Sequence, residues 1–305
     1  MNQSFPLVTV LIPYKDPKPS FFREALGSVF SQTTSLWNLI LIDDHSKNTE
    51  AIGILRELSE SEDNRILVLK NKSNLITGAL NTGMRHAKTQ YVCTLHCDDL
   101  LDGKAIEVLN RYIHEYPDID YFHSSRMRID ENGNPTGGIH MARESFDLSD
   151  FKNYGPVKNL HCWKVQSALA IGGMDESLGF HGADDYDFSW CMAEAGHSFK
   201  AIPECLYYVR AHRQHYRLTT HVPLDTQINE LRKIMKKHDL TEKEIEEQIK
   251  RRTSGYLKQA LYLNEADKQK KENENYDIRK GWRERKGHGL FFEFSCFLSR
   301  INPKR

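Results

Sequence analysis

Short apolar segments alternate with segments of helical periodicity along the first part of the chain. Four apolar runs, at residues 8–12, 39–42, 66–69 and 91–94, are rich in aliphatic and β-branched residues. Apolar residues recur at helical spacing between them. Strands that alternate with helices form parallel βαβ units. The pattern predicts an α/β fold in which right-handed crossovers bring the carboxyl ends of the strands to one edge.

Paired acidic residues follow two of these predicted strands. Asp43 and Asp44 follow the second, and Asp98 and Asp99 follow the fourth after His96. Ligands bind at the carboxyl ends of strands in such sheets, and adjacent carboxylates suit a hard divalent cation that bridges to phosphates. Asp also favours plain turns. The convergence of both pairs on one edge favours a binding site.

Composition excludes several classes of protein. Lys plus Arg and Asp plus Glu both number 42 in 305 residues, so no overall field attracts nucleic acid, and we expect no nucleic-acid partner. We expect neither a signal peptide nor a membrane-spanning helix, because no suitable apolar stretch occurs. Six scattered cysteines without a CxxC pair predict reduced thiols in a cytoplasmic protein. Cys93 and Cys97 are an alternative zinc pair, but no second pair accompanies them.

The middle of the chain is less regular. We predict a polar loop over Asn74–Asn81, a strand near 119–124, and a variable loop region over 136–160. An apolar helix over 165–171, an acidic segment at 184–187, a helix over 189–195 and a strand near 206–212 follow. Trp163 and Trp190 fit a core better than a sugar-stacking platform, and a lone histidine such as His161 or His181 is usually structural.

The composition changes near residue 223, so we divide the chain into a domain of residues 1–222 and a charged helical extension of residues 223–305. Residues 230–252 predict exposed helices with thinly spaced apolar residues. Residues 264–286 predict a solvated helix or disorder. The aromatic and basic segment 288–305 fits peripheral contact with the inner face of a membrane, or packing on its own domain or on a partner subunit in a homo-oligomer.

Six motifs occur in an order that resembles a known family. They are Pro13–Asp16, Leu41–Ser46, Ala79–Gly83, His96–Asp99, Ile171–Leu178 and Asp184–Asp187. Over roughly residues 6–215 the chain resembles the family 2 inverting glycosyltransferases. The resemblance implies a GT-A fold, Rossmann-like, with a mixed, mainly parallel sheet flanked by helices. The C-terminal helical extension lies outside it.

The resemblance also implies a nucleotide-sugar donor, for which we expect a UDP-sugar, together with Mn²⁺ or Mg²⁺ and a glycan or lipid-linked acceptor. The residues that it implies for the donor are Pro13, Tyr14 and Asp16 in the nucleotide pocket, Asp43 or Asp44 at the base, Gly78 and Asn81 near the ribose or pyrophosphate, Asp98 as a ligand of the metal, and Asp99 as a second acid at the site. Asp185 matches the catalytic base. His212 matches a closing segment whose histidine joins the metal or the diphosphate, and Arg210 or Arg213 could share the charge of the leaving group.

The chain departs from the family pattern at three places. His96 replaces the first acid of the metal motif and is a second candidate ligand without negative charge. Leu80 stands where an arginine is common, and Lys15-Asp16 replaces a Tyr-Asn pair. Two other functions therefore stay open: a catalytically silent nucleotide-sugar-binding module, and a sugar nucleotidyltransferase. The latter would want a glycine-rich basic loop after the first strand, which Pro13–Pro17 does not provide.

Overall fold

The computed structural model of the protein describes residues 5–73, 75–153, 155–179, 183–211 and 223–252. The strands are β1 Val8–Tyr14, β2 Trp37–Asp43, β3 Ile66–Lys70, β4 Tyr91–Thr94, β5 Leu100–Leu101, β6 Tyr121–Ile129, β7 His161–Lys164 and β8 Phe199–Arg210. The helices are α1 Pro19–Phe30, α2 Thr49–Ser59, α3 Leu75–His86, α4 Ala105–Glu115, α5 Leu148–Asn153, α6 Val165–Ala170, α7 Asp184–Glu194 and α8 Leu224–Lys237. Residues 242–252 form a further helix, α9.

One eight-stranded sheet runs through the molecule in the order β3-β2-β1-β4-β7-β6-β8-β5. Four strand pairings are parallel and three are antiparallel, so the sheet is mixed. The predicted fold class is confirmed. The antiparallel strand β7 inserts between β4 and β6, which separates the regular parallel half from a second, irregular half.

The hydrophobic core has one cluster on each face of the sheet. Val8, Val10 and Ile12 of β1 pack into one cluster, whereas Leu11 packs into the other. This alternation is the period of a strand, and both faces are apolar because helices cover both. Trp163 and Trp190 lie in the second cluster with 1% and 2% of their surface exposed, so both are core residues.

The predicted loop over Asn74–Asn81 is wrong, because residues 75–86 form α3. The predicted loop includes Gly78 and Asn81, yet both are buried in this helix, as is Gly83 further along it. A Cβ on Gly83 would lie 3.0 Å from side-chain atoms of Leu11 and Ile42. The glycine allows α3 to lie close to β1 and β2, which is a tertiary requirement that local sequence does not reveal.

The first strand is longer than predicted and includes Pro13 and Tyr14. Pro13 pairs with Ile42 of β2, whereas the pairing of β1 with β4 stops at Leu11. A proline cannot donate to a neighbouring strand, so it is tolerated where β1 has no partner on that side.

The second half contains elements that the sequence interpretation missed. The region 136–160 includes the short helix α5, and β7 follows it directly. The acidic segment 184–187 does not precede its helix but forms the first turn of α7. Acidic side chains are favourable there because they face the positive end of the helix dipole.

The helices after residue 223 are not simply exposed. Their sparse apolar residues are buried in the second core cluster: Leu231, Ile234, Met235, Leu240, Ile245 and Ile249. A narrow apolar stripe is enough to attach an otherwise charged helix to the core. The division at residue 222 stays a prediction and falls in a segment outside the described residues, as does the whole of 253–305. In the ranges described, no helix is long and apolar enough to cross a membrane.

Candidate active site

Three neighbouring strands end side by side at one edge of the sheet. Tyr14, the last residue of β1, pairs with Asp43, the last residue of β2. On the other side of β1, the N–H of Leu95 after β4 donates to the carbonyl of Leu11 at 3.0 Å. The segments that begin near residues 14, 43 and 95 therefore leave the sheet together. Tyr14 itself is fully buried against Phe22, at 4.7 Å between ring centroids.

The loops after β1 and β2 are bound to each other. The carboxylate of Asp16 accepts hydrogen bonds from the backbone N–H groups of Lys47 and Asn48 at 2.5 and 2.6 Å. Asn48 in turn caps α2, because its side chain accepts from the N–H of Ala51. Asp16 thus fixes the entrance of α2 beside the end of β1. Its contact with a nucleotide stays a prediction.

The two acids after β2 differ in exposure. Asp44 is buried, lies 3.0 Å from Lys15 Nζ, and accepts from Asn71 Nδ2 at 2.8 Å. Asp43 is only half-buried, and its Oδ1 accepts from the N–H of Ser46 at 2.9 Å. Because protein groups already satisfy Asp44, Asp43 is the better candidate for contact with a base.

The turn after β4 brings His96, Asp98 and Asp99 together, and their nearest ligand atoms all lie within 4.8 Å of one another. Asp99 is buried and accepts from Tyr207 Oη at 2.9 Å and from the N–H of Arg210 at 2.7 Å. His96 and Asp98 are half-buried. One carboxylate with one imidazole suits Mn²⁺ better than Mg²⁺, which prefers oxygen ligands alone. His212, the other candidate ligand, lies outside the described residues, as do His181 and Arg213.

Arg210 does not belong to the group that could meet a leaving diphosphate. Its side chain is fully buried and donates to the carbonyls of Asp98 and Glu131, each at 2.9 Å. A third bond reaches Glu24 of α1 at 2.5 Å. The guanidinium holds the 96–99 turn in place against β8 and α1.

Gly78 and Asn81, predicted near the ribose or pyrophosphate, lie on α3. The amide of Asn81 donates to the carbonyl of Met174 and to Glu176, both at 2.9 Å, and its Oδ1 accepts from the N–H of Met174 at 2.8 Å. A Cβ on Gly78 would lie 2.7 Å from Ser73 Cβ. Both residues therefore fasten α3 to adjacent turns, and their contact with a donor stays a prediction.

Asp185 lies in the first turn of α7, and its side chain is 46% exposed. His161 Nε2 of β7 lies 3.3 Å from its Oδ2, and His161 Nδ1 lies 3.0 Å from Tyr121 Oη of β6. Burial raises the pKa of Asp185, but the hydrogen bond and charge of His161, followed by the charges of His96 and Arg126, outweigh burial and lower it below the usual value. Asp185 is therefore a half-buried, ionised carboxylate that lies beside the buried His161, whose other ring nitrogen is hydrogen-bonded to Tyr121.

The neighbouring Asp184 is different. It is buried, and burial together with the Asp185 carboxylate raises the pKa of Asp184 to about 7. Of the two adjacent carboxyl groups, Asp185 therefore ionises first as the pH rises, and it is the one that carries negative charge most fully at neutral pH.

A second group of metal-type ligands, Asp187, Cys191 and His238, links α7 to the end of α8. Asp187 accepts from Lys237 at 2.8 Å and from His238 at 3.1 Å, and the other ring nitrogen of His238 lies 2.9 Å from Glu194. Burial lowers the pKa of His238, but its bonds to Asp187, Cys191 and Glu194 raise it to about 9. Both ring nitrogens of His238 are thus engaged by carboxylates, at Asp187 and at Glu194. This group is therefore a buried ionic clamp between two helices.

Sequence reasoning treated His161 as structural and did not single out Tyr121 or His238. Their roles depend on the pairing of β6 with β7 and on the packing of α8 against α7. The sequence carries no local signal for either arrangement.

Comparison with known proteins gives a consistent result. The family described as glycosyl transferase family 2 matches residues 9–170. An uncharacterized glycosyltransferase of Methanocaldococcus jannaschii, MJ1057, is 32% identical over 206 residues, which are 66% of this chain and 69% of that protein. The O-antigen biosynthesis protein RfbC of Myxococcus xanthus is 30% identical over 206 residues, which are 67% of this chain and 16% of RfbC. The chain spans about a fifth or less of the length of the first curated relatives that it matches.

The structure is also similar to that of Staphylococcus aureus TarS, residues 1–349, in complex with UDP-GlcNAc. The TM-score is 0.60 at 16% sequence identity, and the match covers 79% of this chain and 70% of that one. At this identity the similarity establishes the fold alone.

Proposed function

The chain belongs to glycosyl transferase family 2, and from this premise we propose that it transfers a sugar from a UDP-sugar to a hydroxyl group of a glycan or lipid-linked acceptor, with inversion at the anomeric carbon. UDP-GlcNAc bound to the structural neighbour TarS supports the nucleotide, and the name of RfbC supports glycan synthesis. The observation that carries the proposal is the half-buried Asp185 at the first turn of α7, 3.3 Å from His161 Nε2, where the charges of His161 and His96 lower its pKa.

We divide the site into two sides. The donor side consists of segments 13–16, 43–46 and 96–99, and the acceptor side consists of Asp185 with Tyr121, His161 and α7. The acceptor hydroxyl attacks the anomeric carbon from the face opposite the diphosphate. Asp185 takes the hydroxyl proton as the new glycosidic bond forms. The bond from the anomeric carbon to the diphosphate oxygen breaks, and its electron pair leaves with UDP.

The donor side has residues suited to a divalent cation. Asp98 would hold it with His96, and Mn²⁺ or Mg²⁺ there would supply positive charge to the departing diphosphate. Asp99 supports this arrangement indirectly, because Tyr207 and the N–H of Arg210 hold its carboxylate. The hydrogen bonds of Asp16 and Asp44 fix the loops next to Asp43. Rigid positioning of both substrates supplies part of the rate.

The test is an incubation of the full chain with UDP-GlcNAc and UDP-glucose, with and without Mn²⁺. We expect release of UDP, increased by acceptor and by metal. Release of pyrophosphate with UTP and a sugar phosphate would instead establish nucleotidyl transfer. Binding of UDP-sugars without UDP release under any condition would establish a silent binding module. That alternative is open because His96 replaces the first acid of the metal motif.

A further inference from the structure

The ionic clamp between α7 and α8 contains three side chains of the kinds that bind transition metals. Asp187 and Cys191 are four residues apart on α7, so their side chains leave the same face of that helix. His238 follows the last residue of α8 and brings its ring to them. One ligand atom from each of the three residues lies within 4.8 Å of the other two.

We propose that Asp187, Cys191 and His238 bind one Zn²⁺ ion. Thiolate, imidazole and carboxylate groups are the usual ligands of zinc, whereas Mg²⁺ and Mn²⁺ favour sites of carboxylates, carbonyls and water. The cysteine therefore distinguishes this cluster from the cation site on the donor side. The inference is independent of the proposed function, because none of the three residues has a role in it.

The separations between the three side chains are close to those around a tetrahedral ion. The usual bond lengths of tetrahedral zinc place oxygen and nitrogen ligands about 3.4 Å apart, and a sulfur ligand about 3.6 Å from either. His238 Nε2 lies 3.1 Å from Asp187 Oδ1 and 4.0 Å from Cys191 Sγ, and Cys191 Sγ lies 3.9 Å from Asp187 Oδ2. Side-chain shifts of about half an ångström would give the ideal separations, and water would take the fourth position.

Neighbouring side chains hold these groups in the way that metal ligands are usually held. His238 Nδ1 lies 2.9 Å from Glu194 Oε2, which leaves Nε2 for the ion, and a carboxylate on the far nitrogen is the common partner of a metal-bound imidazole. Trp190 stacks on the same ring, with 4.0 Å between centroids and 1° between planes, and so fixes its orientation. Lys237 donates to Asp187 Oδ2 at 2.8 Å, so Oδ1 is the oxygen turned toward the histidine.

The cluster can be reached from solvent. Cys191 is half-buried, and the side chains of Lys237 and Glu194 are 37% and 42% exposed. Asp187 and His238 are buried on its inner side. Zinc can therefore enter or leave while the chain stays folded.

Zinc binding would exchange two protons for one ion. Burial lowers the pKa of His238, but its hydrogen bonds, first that to Asp187, raise it to about 9, so the ring is charged in the metal-free chain at neutral pH. The Nε2 proton and the thiol proton of Cys191 both leave to solvent, because neutral imidazole and thiolate are the forms that coordinate a metal. The net charge of the cluster does not change, and the buried carboxylate of Asp187 has a cation beside it in both states.

The test measures retention of zinc by the full chain. Protein is treated with EDTA, freed of chelator by gel filtration, incubated with ZnCl₂ or CoCl₂, filtered again and analysed for metal by atomic absorption. We expect one ion per chain at this cluster. Calorimetry in buffers of different ionisation enthalpy should show release of both protons. The Co²⁺ complex should show the near-ultraviolet charge-transfer absorption of a cobalt–thiolate bond.

Variants then assign the ion to the cluster. Cys191→Ser should abolish both the retained ion and the thiolate absorption, and it should fold, because the sulfur makes only contacts of 3.9 and 4.0 Å. Glu194→Gln should lower zinc affinity about tenfold or more, the usual effect of losing the partner of a metal-bound histidine. Cys205→Ser is the matched control, because Cys205 is also half-buried but lies on β8. Asp98→Asn, on the donor side, should retain the ion.

Four results would overturn the inference. They are no retention by the wild type, equal retention by wild type and Cys191→Ser, equal losses in Cys191→Ser and Cys205→Ser, or a cobalt complex without thiolate absorption. Loss of the ion in Asp98→Asn but not in Cys191→Ser would assign it to the donor side instead. Failure to release UDP from a UDP-sugar would refute the proposed function alone, since zinc retention requires no nucleotide.

Discussion

On the donor side, the acids after β1 and β2 are held by neighbouring loops, whereas Asp99 is held by Tyr207 and Arg210 of the distant strand β8. Asp16 is bound by the backbone of residues 47 and 48, and Asp44 by Lys15 and Asn71. On the acceptor side, Asp185 depends on elements far away in the chain, through His161, Tyr121 and the ionic clamp at His238. The donor side after β1 and β2 is therefore built from neighbouring loops, and its 96–99 turn depends on a distant strand. The acceptor side is an assembly of β6, β7, α7 and α8, whose parts differ in role and can be disturbed separately.

The largest expected effect separates chemistry from donor binding. Asp185→Asn should lower transfer about 1,000-fold, because an amide cannot take the proton, while UDP affinity stays close to wild type. Initial-rate kinetics and calorimetry with UDP measure the two quantities. Asp184→Asn is the matched control and should cost less than about tenfold, since Asp184 already has a pKa of about 7. An equal loss of UDP affinity in Asp185→Asn would place Asp185 on the donor side. The division of the site into a donor side and an acceptor side would then be wrong.

Loss of the ionic clamp at His238 should lower the stability of the acceptor side. His238→Gln removes one member of a buried ion pair and should lower the free energy of unfolding by about 3 kcal/mol. Since folding raises the pKa of His238 from about 6.5 to about 9, its stabilising contribution is complete below pH 6.5 and is lost as pH rises through 9.

Urea denaturation at pH 6 and at pH 10 measures this effect. The difference between wild type and His238→Gln should shrink at the higher pH, and the exposed His114→Gln should change stability little at either pH. A difference that stays the same at both pH values would show that packing on Trp190, rather than charge, explains the effect.

The donor side should respond through metal-dependent nucleotide binding. Asp98→Asn should weaken Mn²⁺-dependent UDP binding at least about tenfold, because the amide removes the negative charge from the cation site. His96→Asp should tighten Mn²⁺ binding, since it adds a charge to the same turn. Calorimetry with and without EDTA measures both, and Asp63→Asn, at the far edge of the sheet beside Arg65, is the control. Unchanged metal dependence in Asp98→Asn would refute the assigned cation site.

The smallest effect tests the distant support of Asp185. Tyr121→Phe removes the partner of His161 Nδ1, so His161 should lower the pKa of Asp185 less effectively. The acid limb of the pH–rate profile should then move to higher pH, with a loss of only a few-fold at neutral pH. The half-exposed Tyr116→Phe should leave the profile unchanged. An acid limb that does not move in Tyr121→Phe would show that Tyr121 only packs.

The difference between the donor side and the acceptor side also explains which residues could be placed from the sequence. Strand ends in parallel βαβ units meet at one edge, so Asp43 and Asp98 could be placed together without a structure. The family match, at residues 9–170, covers these strand ends together with Tyr121 and His161, and it stops before Asp185. Local composition was misleading at α3, where Gly78 and Asn81 suggested a loop but lie in a helix that packs closely against neighbouring turns.

On the acceptor side, fewer of the contacts between site residues could be predicted from the sequence. The contact of His161 with Tyr121 exists only because β7 pairs with β6, and the two residues are 40 positions apart. The same is true on the donor side of Arg210, which ends the apolar strand β8 and suggests an exposed cation, yet lies in the interior beneath the 96–99 turn. Such long-range partners have no periodicity or spacing that a pattern could detect.

The clamp at His238 also bears on how this protein can be shortened. A chain that ended at residue 222, where the composition changes, would still contain every predicted site residue. It would nevertheless lack Lys237 and His238, and the carboxylate of Asp187, two residues after Asp185, would remain in the interior with both cations removed. Anyone seeking a minimal active fragment should therefore cut after α9 and not before α8.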